Sequence, residues 1–298
     1  MMIPLSLPIS GLGKLPIAAG SLYEGPVWWN NAWYWVDIED GSLHQWRNQE
    51  HRTVAQAPGP LGCAVPAEDG TWIGAGRDGL YRIDLDTGSI EPWGSPWADG
   101  NDFRANDGKV APDGSLWVGT LDREERDGSC CLYRIDHSGT PQRLHEGLSL
   151  SNGMGWSPDG ATYYHINTLS RTLSAYPWDP KTRTLAGERI LRNWENGFPD
   201  GMAVAASGHL YVAIWGGSRL EVLSPEGKLL GTIPVPASQV SSCAFGGSDL
   251  KTLLITTAWE GYSLEQRQND PDAGCLFELV APEEGLPITP FHLTASSR

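Results

Sequence analysis

One sequence feature restricts the fold of this chain more than any other: a repeat. A turn followed by a short apolar strand recurs at residues 33–37, 70–74, 114–119, 162–166, 208–213 and 252–256. A second segment, beginning with leucine, follows each copy at 43–46, 80–83, 132–135, 173–176, 220–223 and 276–279. A third precedes each copy: Val27-Trp28, Ala64-Val65, Lys109-Val110, Met154-Gly155-Trp156, Met202-Ala203-Val204 and Cys243-Ala244-Phe245. The first segment is almost continuously apolar, as an inner strand should be. The second alternates with period two, as a half-exposed strand should. Asp69-Gly70, Asp113-Gly114 and Asp159-Gly160 supply hairpin turns, because Asp tolerates positive φ and Gly adopts it freely. Units repeating every ~40 to 50 residues must stack on one another to bury their faces. Six such units of three or four strands imply an all-β fold, a six-bladed β-propeller. Residues 3–22 and 288–293 are left over and are expected to share a blade and close the ring. No amphipathic helix or linker is evident, so residues 1–298 are read as one domain.

This register also says where certain polar residues should go. The innermost strand of each blade starts beside the central channel, so the residues just ahead of it converge there. Glu24 precedes Gly25-Pro26-Val27, Asn152 lies within Ser151-Asn152-Gly153, and Asp200 precedes Gly201-Met202. Asn106-Asp107, before Gly108-Lys109-Val110, holds the same position. Two carboxylates and one amide oxygen suit a hard divalent cation, with no His or Cys to favour a dedicated zinc site. Taken singly, Asn152 and Asp200 would be turn residues, whereas Glu24 before Gly-Pro is a poor turn former. Asp107 is expected to brace the turn at Gly108, and His165 and His209 to be structural. A serine nucleophile is disfavoured, since no Gly-x-Ser-x-Gly elbow is present.

Composition removes other possibilities. A net charge of −15 disfavours nucleic acid and anionic membranes, which require a basic face. With 40% hydrophobic and 19% charged residues the chain has a globular composition, and 36 Gly, 22 Pro and 14 Trp fit many turns and aromatic-bearing strands. Five cysteines with no metal-finger or disulfide spacing are expected to be buried and reduced, which suggests the cytoplasm. Neither a signal peptide nor a run approaching ~20 apolar residues is recognisable.

Taken together, the motifs resemble the regucalcin (senescence marker protein) and gluconolactonase family of six-bladed propellers. The matching segments include Glu24-Gly25-Pro26-Val27-Trp28, Arg104-Ala105-Asn106-Asp107-Gly108-Lys109-Val110 and Gly119-Thr120. Ser151-Asn152-Gly153-Met154-Gly155-Trp156, Pro199-Asp200-Gly201-Met202 and Trp215-Gly216-Gly217 continue the series in the family's order. The resemblance implies one divalent metal held by Glu24, Asn152 and Asp200. Ca²⁺ is preferred, with Zn²⁺, Mn²⁺, Mg²⁺ or Fe²⁺ as alternatives. It implies substrate contacts from Arg104, Asn106 and Glu124, the last placed by counting from Thr120, with Glu125 as an alternative. The implied activity is hydrolysis of a sugar lactone, of glucono-, galactono-, xylono- or arabinono-lactone type, to the aldonic acid. Asp200 is the candidate base, and water activated by the cation is an equally open account. A monomer or weak homodimer is expected. Competing readings are a non-catalytic calcium-binding regulator and an esterase acting on another lactone or an organophosphate. The chain departs from the family at Asn167-Thr168, where relatives often have Asp-Ser. It also departs over residues 259–272, which are expected to form a loop at the pocket rim.

Overall fold

The computed structural model describes residues 5–6, 11–95, 97, 102–124, 126–179 and 181–293. Among them the architecture is all-β and propeller-like. Three antiparallel sheets each contain four strands in sequence order. The first comprises Tyr23–Trp29, Ala32–Asp37, Ser42–Arg47 and Glu50–Gln56. The second comprises Leu61–Pro66, Trp72–Gly76, Leu80–Asp84 and Ser89–Trp93, and the third Phe103–Val110, Leu116–Asp122, Cys130–Ile135 and Pro141–Leu148. A fourth sheet holds Ser151–Trp156, Thr162–Asn167, Thr172–Asp179 and Arg189–Asn193, with the short Thr184–Leu185 added. The remaining sheet has nine strands, and its two halves meet through one residue pair, Trp215 with Gln239.

The turn residues behave as their chemistry requires. The Asp69, Asp113 and Asp159 carboxylates accept from the backbone N–H two residues on, and Gly70, Gly114 and Gly160 take positive φ. Continuous burial of the Ala32–Asp37 and Trp72–Gly76 strands explains their unbroken apolar pattern. Trp117 is wholly buried and meets Trp156 and Trp178 edge-on, at centroid distances of 5.0 and 4.9 Å.

Closure of the ring differs from expectation. Gly13–Lys14 pairs with Phe277–Val280, so the N-terminal segment completes the last group of strands. Leu5–Ser6 pairs in parallel with Leu229–Pro234. Residues 288–293 do not join either. Phe291 bridges Ala67, its N–H donating to Pro66 O at 2.8 Å, and its ring packs against Trp93. Pro287 and Pro290 lack the N–H groups that a ladder needs, which confines this segment to a brace. One short helix, Leu264–Asn269, was also unforeseen. Ser263 caps it reciprocally with Gln266, and it buries no residue.

Every innermost strand is interrupted at the same place. Register shifts fall between Glu24 and Val27, Leu61 and Cys63, Ala105 and Gly108, Ser151 and Met154, Pro199 and Met202, and Val240 and Ser242. A bulge re-aims the side chains beside it. Here it turns Glu24, Asn106, Asn152 and Asp200 toward the channel. Neighbouring innermost strands approach so closely that only glycine fits: a Cβ on Gly153 would press into the Asp200 carbonyl oxygen and lie 3.1 Å from Met202 N.

Candidate active site

The bulges divide the channel into two cavities. The larger, about 390 Å³, lies on the side of Gly25, Asp107 and Lys109 and is walled mainly by apolar groups such as Val27, Val65 and Phe245. The smaller, about 270 Å³, brings together Glu24, Arg104, Asn106, Asn152 and Asp200, five of the six residues singled out from the sequence. The sixth, Glu124, does not line it. Its side chain is 65% exposed and lies 3.5 Å from Arg126. Its alternative, Glu125, falls outside the described residues. Trp215 lines it, with Leu22, Ile38, Leu121, Leu150, Leu169 and Phe198 as apolar wall.

Four of the five polar residues are hydrogen-bonded in two pairs, while the Glu24 carboxylate accepts from Gly25 N–H at 2.8 Å. Asn152 Nδ2 donates a very short hydrogen bond to Asp200 Oδ1, and Asn152 Oδ1 accepts from Gly153 N–H at 3.1 Å. Asn106 Nδ2 donates to Ser151 O at 3.1 Å and its Oδ1 accepts from Arg104 Nη1 at 3.0 Å, which ties the third sheet to the fourth. Arg104 Nη2 also faces Glu39 Oε1 at 3.4 Å. Thr168, at a position where this chain departs from the family, donates to Pro199 O at 2.8 Å and so holds the approach to Asp200. Asp107 braces Gly108 N–H at 2.7 Å, as expected, and Lys109 Nζ donates to Met202 O at 2.9 Å. His165 is buried, hydrogen-bonded to Ser151 Oγ at 2.8 Å, and its pKa is lowered by burial to about 3, so it serves as a neutral strut.

Electrostatics single out the acids. Burial pushes the Glu24 carboxyl well above the ordinary range, and the charges of Asp200 and Asp107 push it further. Asp200 is raised in the same direction by burial and then by Asp107, with the Asn152 hydrogen bond opposing. Arg104 offsets the Glu24 shift only as its smallest cause. Two buried carboxyls thus lack a sufficient counter-charge, so each holds its proton to higher pH than usual unless a cation is bound beside it. Among the described residues no group of three or more His, Cys, Asp or Glu is arranged to hold a metal ion; Glu24 and Asp200 share the cavity with the amides of Asn106 and Asn152.

One lining residue was missed: Glu260, in the segment that matches relatives poorly. Its carboxyl is raised by burial and by Glu39, while Arg104 lowers it. A topological signal could have found it. The second strand of each group runs antiparallel to the first and returns to the same end, so residues just past it rejoin the channel mouth. Ile38, Thr168 and Glu260 occupy that position, and Leu121 is the next-to-last residue of its strand.

With the geometry in place, comparison with known proteins identifies the class. Residues 22–259 match the SMP-30/Gluconolactonase/LRE-like region, and the chain belongs to this family. It is 35% identical over 263 residues to the 6-deoxy-6-sulfogluconolactonase of Pseudomonas putida, covering 86% of this chain and 90% of the relative. Pentonolactonase XacC of Haloferax volcanii is 33% identical over 280 residues, covering 89% and 93%. Among solved structures, regucalcin from Agrobacterium tumefaciens, titled a calcium-binding protein, superposes with a TM-score of 0.92 at 26% identity, covering 98% of this chain and 100% of that one.

Proposed function

We propose that this protein is a metal-dependent sugar lactonase that opens an aldonolactone to its aldonic acid. The observation that carries the reading is the convergence of two buried, under-neutralised carboxylates and an amide on one cavity that also holds Arg104 and Asn106. The lactonase names of the relatives support it. The nine-stranded sheet, joined at a single residue pair, is read as two blades, giving six in one domain. Burial of all five cysteines fits a reducing compartment, and we place the protein in the cytoplasm.

Glu24, Asn152 and Asp200 would hold one divalent cation, for which this oxygen set suits Ca²⁺ best. The present fit is good in charge and donor type, and a turn of the Asn152 amide exchanges Nδ2 for Oδ1 toward the acids. A bound cation supplies Lewis-acid polarisation of a carbonyl oxygen. Asp200, with one oxygen on the Asn152 amide, offers a carboxylate to accept the proton of the attacking water. That water adds to the lactone carbonyl carbon, the ring C–O bond breaks, and the ring oxygen leaves as a hydroxyl after gaining a proton. Arg104 and Asn106 orient the sugar hydroxyls, and the apolar wall of Phe198, Leu169 and Trp215 limits water around the ring.

Calcium binding without catalysis is a second reading, favoured by the likeness to regucalcin. A pH-indicator assay over an aldonolactone panel, with and without chelator, separates the two. Lactone opening above the spontaneous rate, abolished by chelation and restored by a divalent cation, is expected. No acceleration of any lactone with saturating Ca²⁺, Mn²⁺, Mg²⁺ or Zn²⁺ refutes the lactonase reading.

A further inference from the structure

The rim of the cavity carries one more acid, Glu260. Glu260 lies two residues past the Thr252–Ala258 strand, and its backbone is fixed on both sides. Its N–H donates to Ser21 O at 3.0 Å, and its carbonyl accepts from Gln239 Nε2 at 3.1 Å. Gly261, at φ 74°, turns the chain away, and Arg267 stacks over Trp259 at 3.9 Å to hold the loop. The carboxylate, by contrast, has no hydrogen-bond or ion-pair partner among the described residues. A rigid backbone presenting a free acceptor to a cavity is the arrangement of a recognition group.

The surrounding charges indicate what it recognises. Glu24, Asp200 and Glu260 are the acidic lining residues and Arg104 the cationic one, a balance of −3 + 1 = −2. A dication would bring this to zero. The Arg104 guanidinium is already shared between Glu39, at 3.4 Å, and the field of Glu260. Among the lining residues no other cation remains for an anionic substituent, whereas sugar hydroxyls would find an acceptor in Glu260 and donors in Arg104 and Asn106.

We infer that Glu260 is a specificity-determining residue that selects lactones with uncharged, hydroxyl-bearing tails and disfavours those carrying a phosphate or sulfonate. This rests on the sugar-lactonase reading. The test compares kcat/KM for D-glucono-1,5-lactone and its 6-phosphate, using protein loaded with the activating cation, in wild type, Glu260→Gln and Glu260→Asp. Wild type is expected to prefer the neutral lactone. Removing one charge at a substituent's distance should raise the ratio of the 6-phosphate rate to the neutral rate in Glu260→Gln roughly tenfold, while the neutral rate itself falls with the loss of a charged hydroxyl acceptor. Glu260→Asp should keep the wild-type preference, and added salt should weaken it, since the rim is open to solvent. A merely structural Glu260 would lower both rates together. Calorimetry of wild type with gluconate and 6-phosphogluconate gives a readout independent of any variant's folding, and gluconate should bind more tightly. An equal ratio in wild type and Glu260→Gln, or tighter binding of 6-phosphogluconate, overturns the assignment alone. Failure of wild type to open any neutral aldonolactone overturns it together with the lactonase reading.

Discussion

Replacing Asp200 with Asn should abolish activity and yet stabilise the metal-free protein. Asp200 is 5% exposed and shares its cavity with Glu24, equally buried, while Asp107 adds negative potential from across the bulge. Two like charges confined to one site repel by about 2–4 kcal/mol at an effective dielectric of ~20. The substitution removes that term. It also exchanges a charge-assisted hydrogen bond from Asn152 for a neutral one, a loss of about 1 kcal/mol. The net gain is about 1–3 kcal/mol, or a melting temperature higher by roughly 2–10 °C. The pH dependence follows from the direction of the shifts. Both carboxyls have folded pKa values raised above those of the unfolded chain, about 3.9 for Asp and 4.3 for Glu. Their contribution to stability is therefore complete below about pH 4 and is lost as pH rises through the folded values. Thermal unfolding of chelated wild type and Asp200→Asn from pH 4 to 8.5 should show curves that coincide in acid and separate in base, with the variant higher. A divalent cation at 100-fold its Kd should then lift wild type by about 2.7 kcal/mol and leave the variant nearly unmoved. If chelated Asp200→Asn melts below wild type at pH 8, or if the gap is independent of pH, the two acids are not electrostatically strained and the metal-centre argument fails.

Two further substitutions probe the geometry. Gly153→Ala drives a Cβ into the Asp200 carbonyl and the Ile166 side chain, so kcat/KM should fall more than tenfold while circular dichroism retains the β signature; an active variant would show that the spacing of these strands is not critical. Glu124→Ala should change KM for any lactone by less than about twofold, because the side chain is exposed and outside the cavity, and a larger change in steady-state kinetics would return Glu124 to the substrate site.

Much of this was legible in the sequence because the repeat fixes which residues begin each innermost strand. That register alone brings Glu24 and Asp200, 176 positions apart, to one cavity wall (200 − 24). It succeeds because strand entry is a topological property, insensitive to side-chain detail. The register shifts were not legible, since nothing in Asn106-Asp107 or Asn152-Gly153 distinguishes a bulge from an ordinary turn. Glu124 falls outside the cavity for a related reason. Counting along a loop assumes a constant path, whereas the Leu116–Asp122 strand carries Leu121 into the cavity and ends at Asp122, whose buried carboxylate accepts from Arg126, Ser129 and the Glu124 N–H. Glu260 was passed over because residues 259–272 carry no family pattern, although the return of the Thr252–Ala258 strand to the channel mouth placed it there.

The bulges explain why function and stability oppose each other at this centre. Four of the six break the innermost ladder where Glu24, Asn106, Asn152 or Asp200 turns inward, so backbone hydrogen bonds are lost where acids are also being buried. Asp107 makes the conflict sharper. Its own burial raises its pKa, Lys109 compensates it from the side of the larger cavity, and its residual field still reaches Glu24 and Asp200. A chain selected for stability alone would place apolar groups at these six interruptions, since a buried charge with inadequate pairing is worse than a well-packed hydrophobe. Retaining two acids, an amide and a buried arginine there is therefore evidence that the deficit is met by something bound, and the neutral Asn152 sets its size. With an amide as third donor the deficit is two charges, which a single divalent cation cancels; a third carboxylate at 152 would leave one charge over.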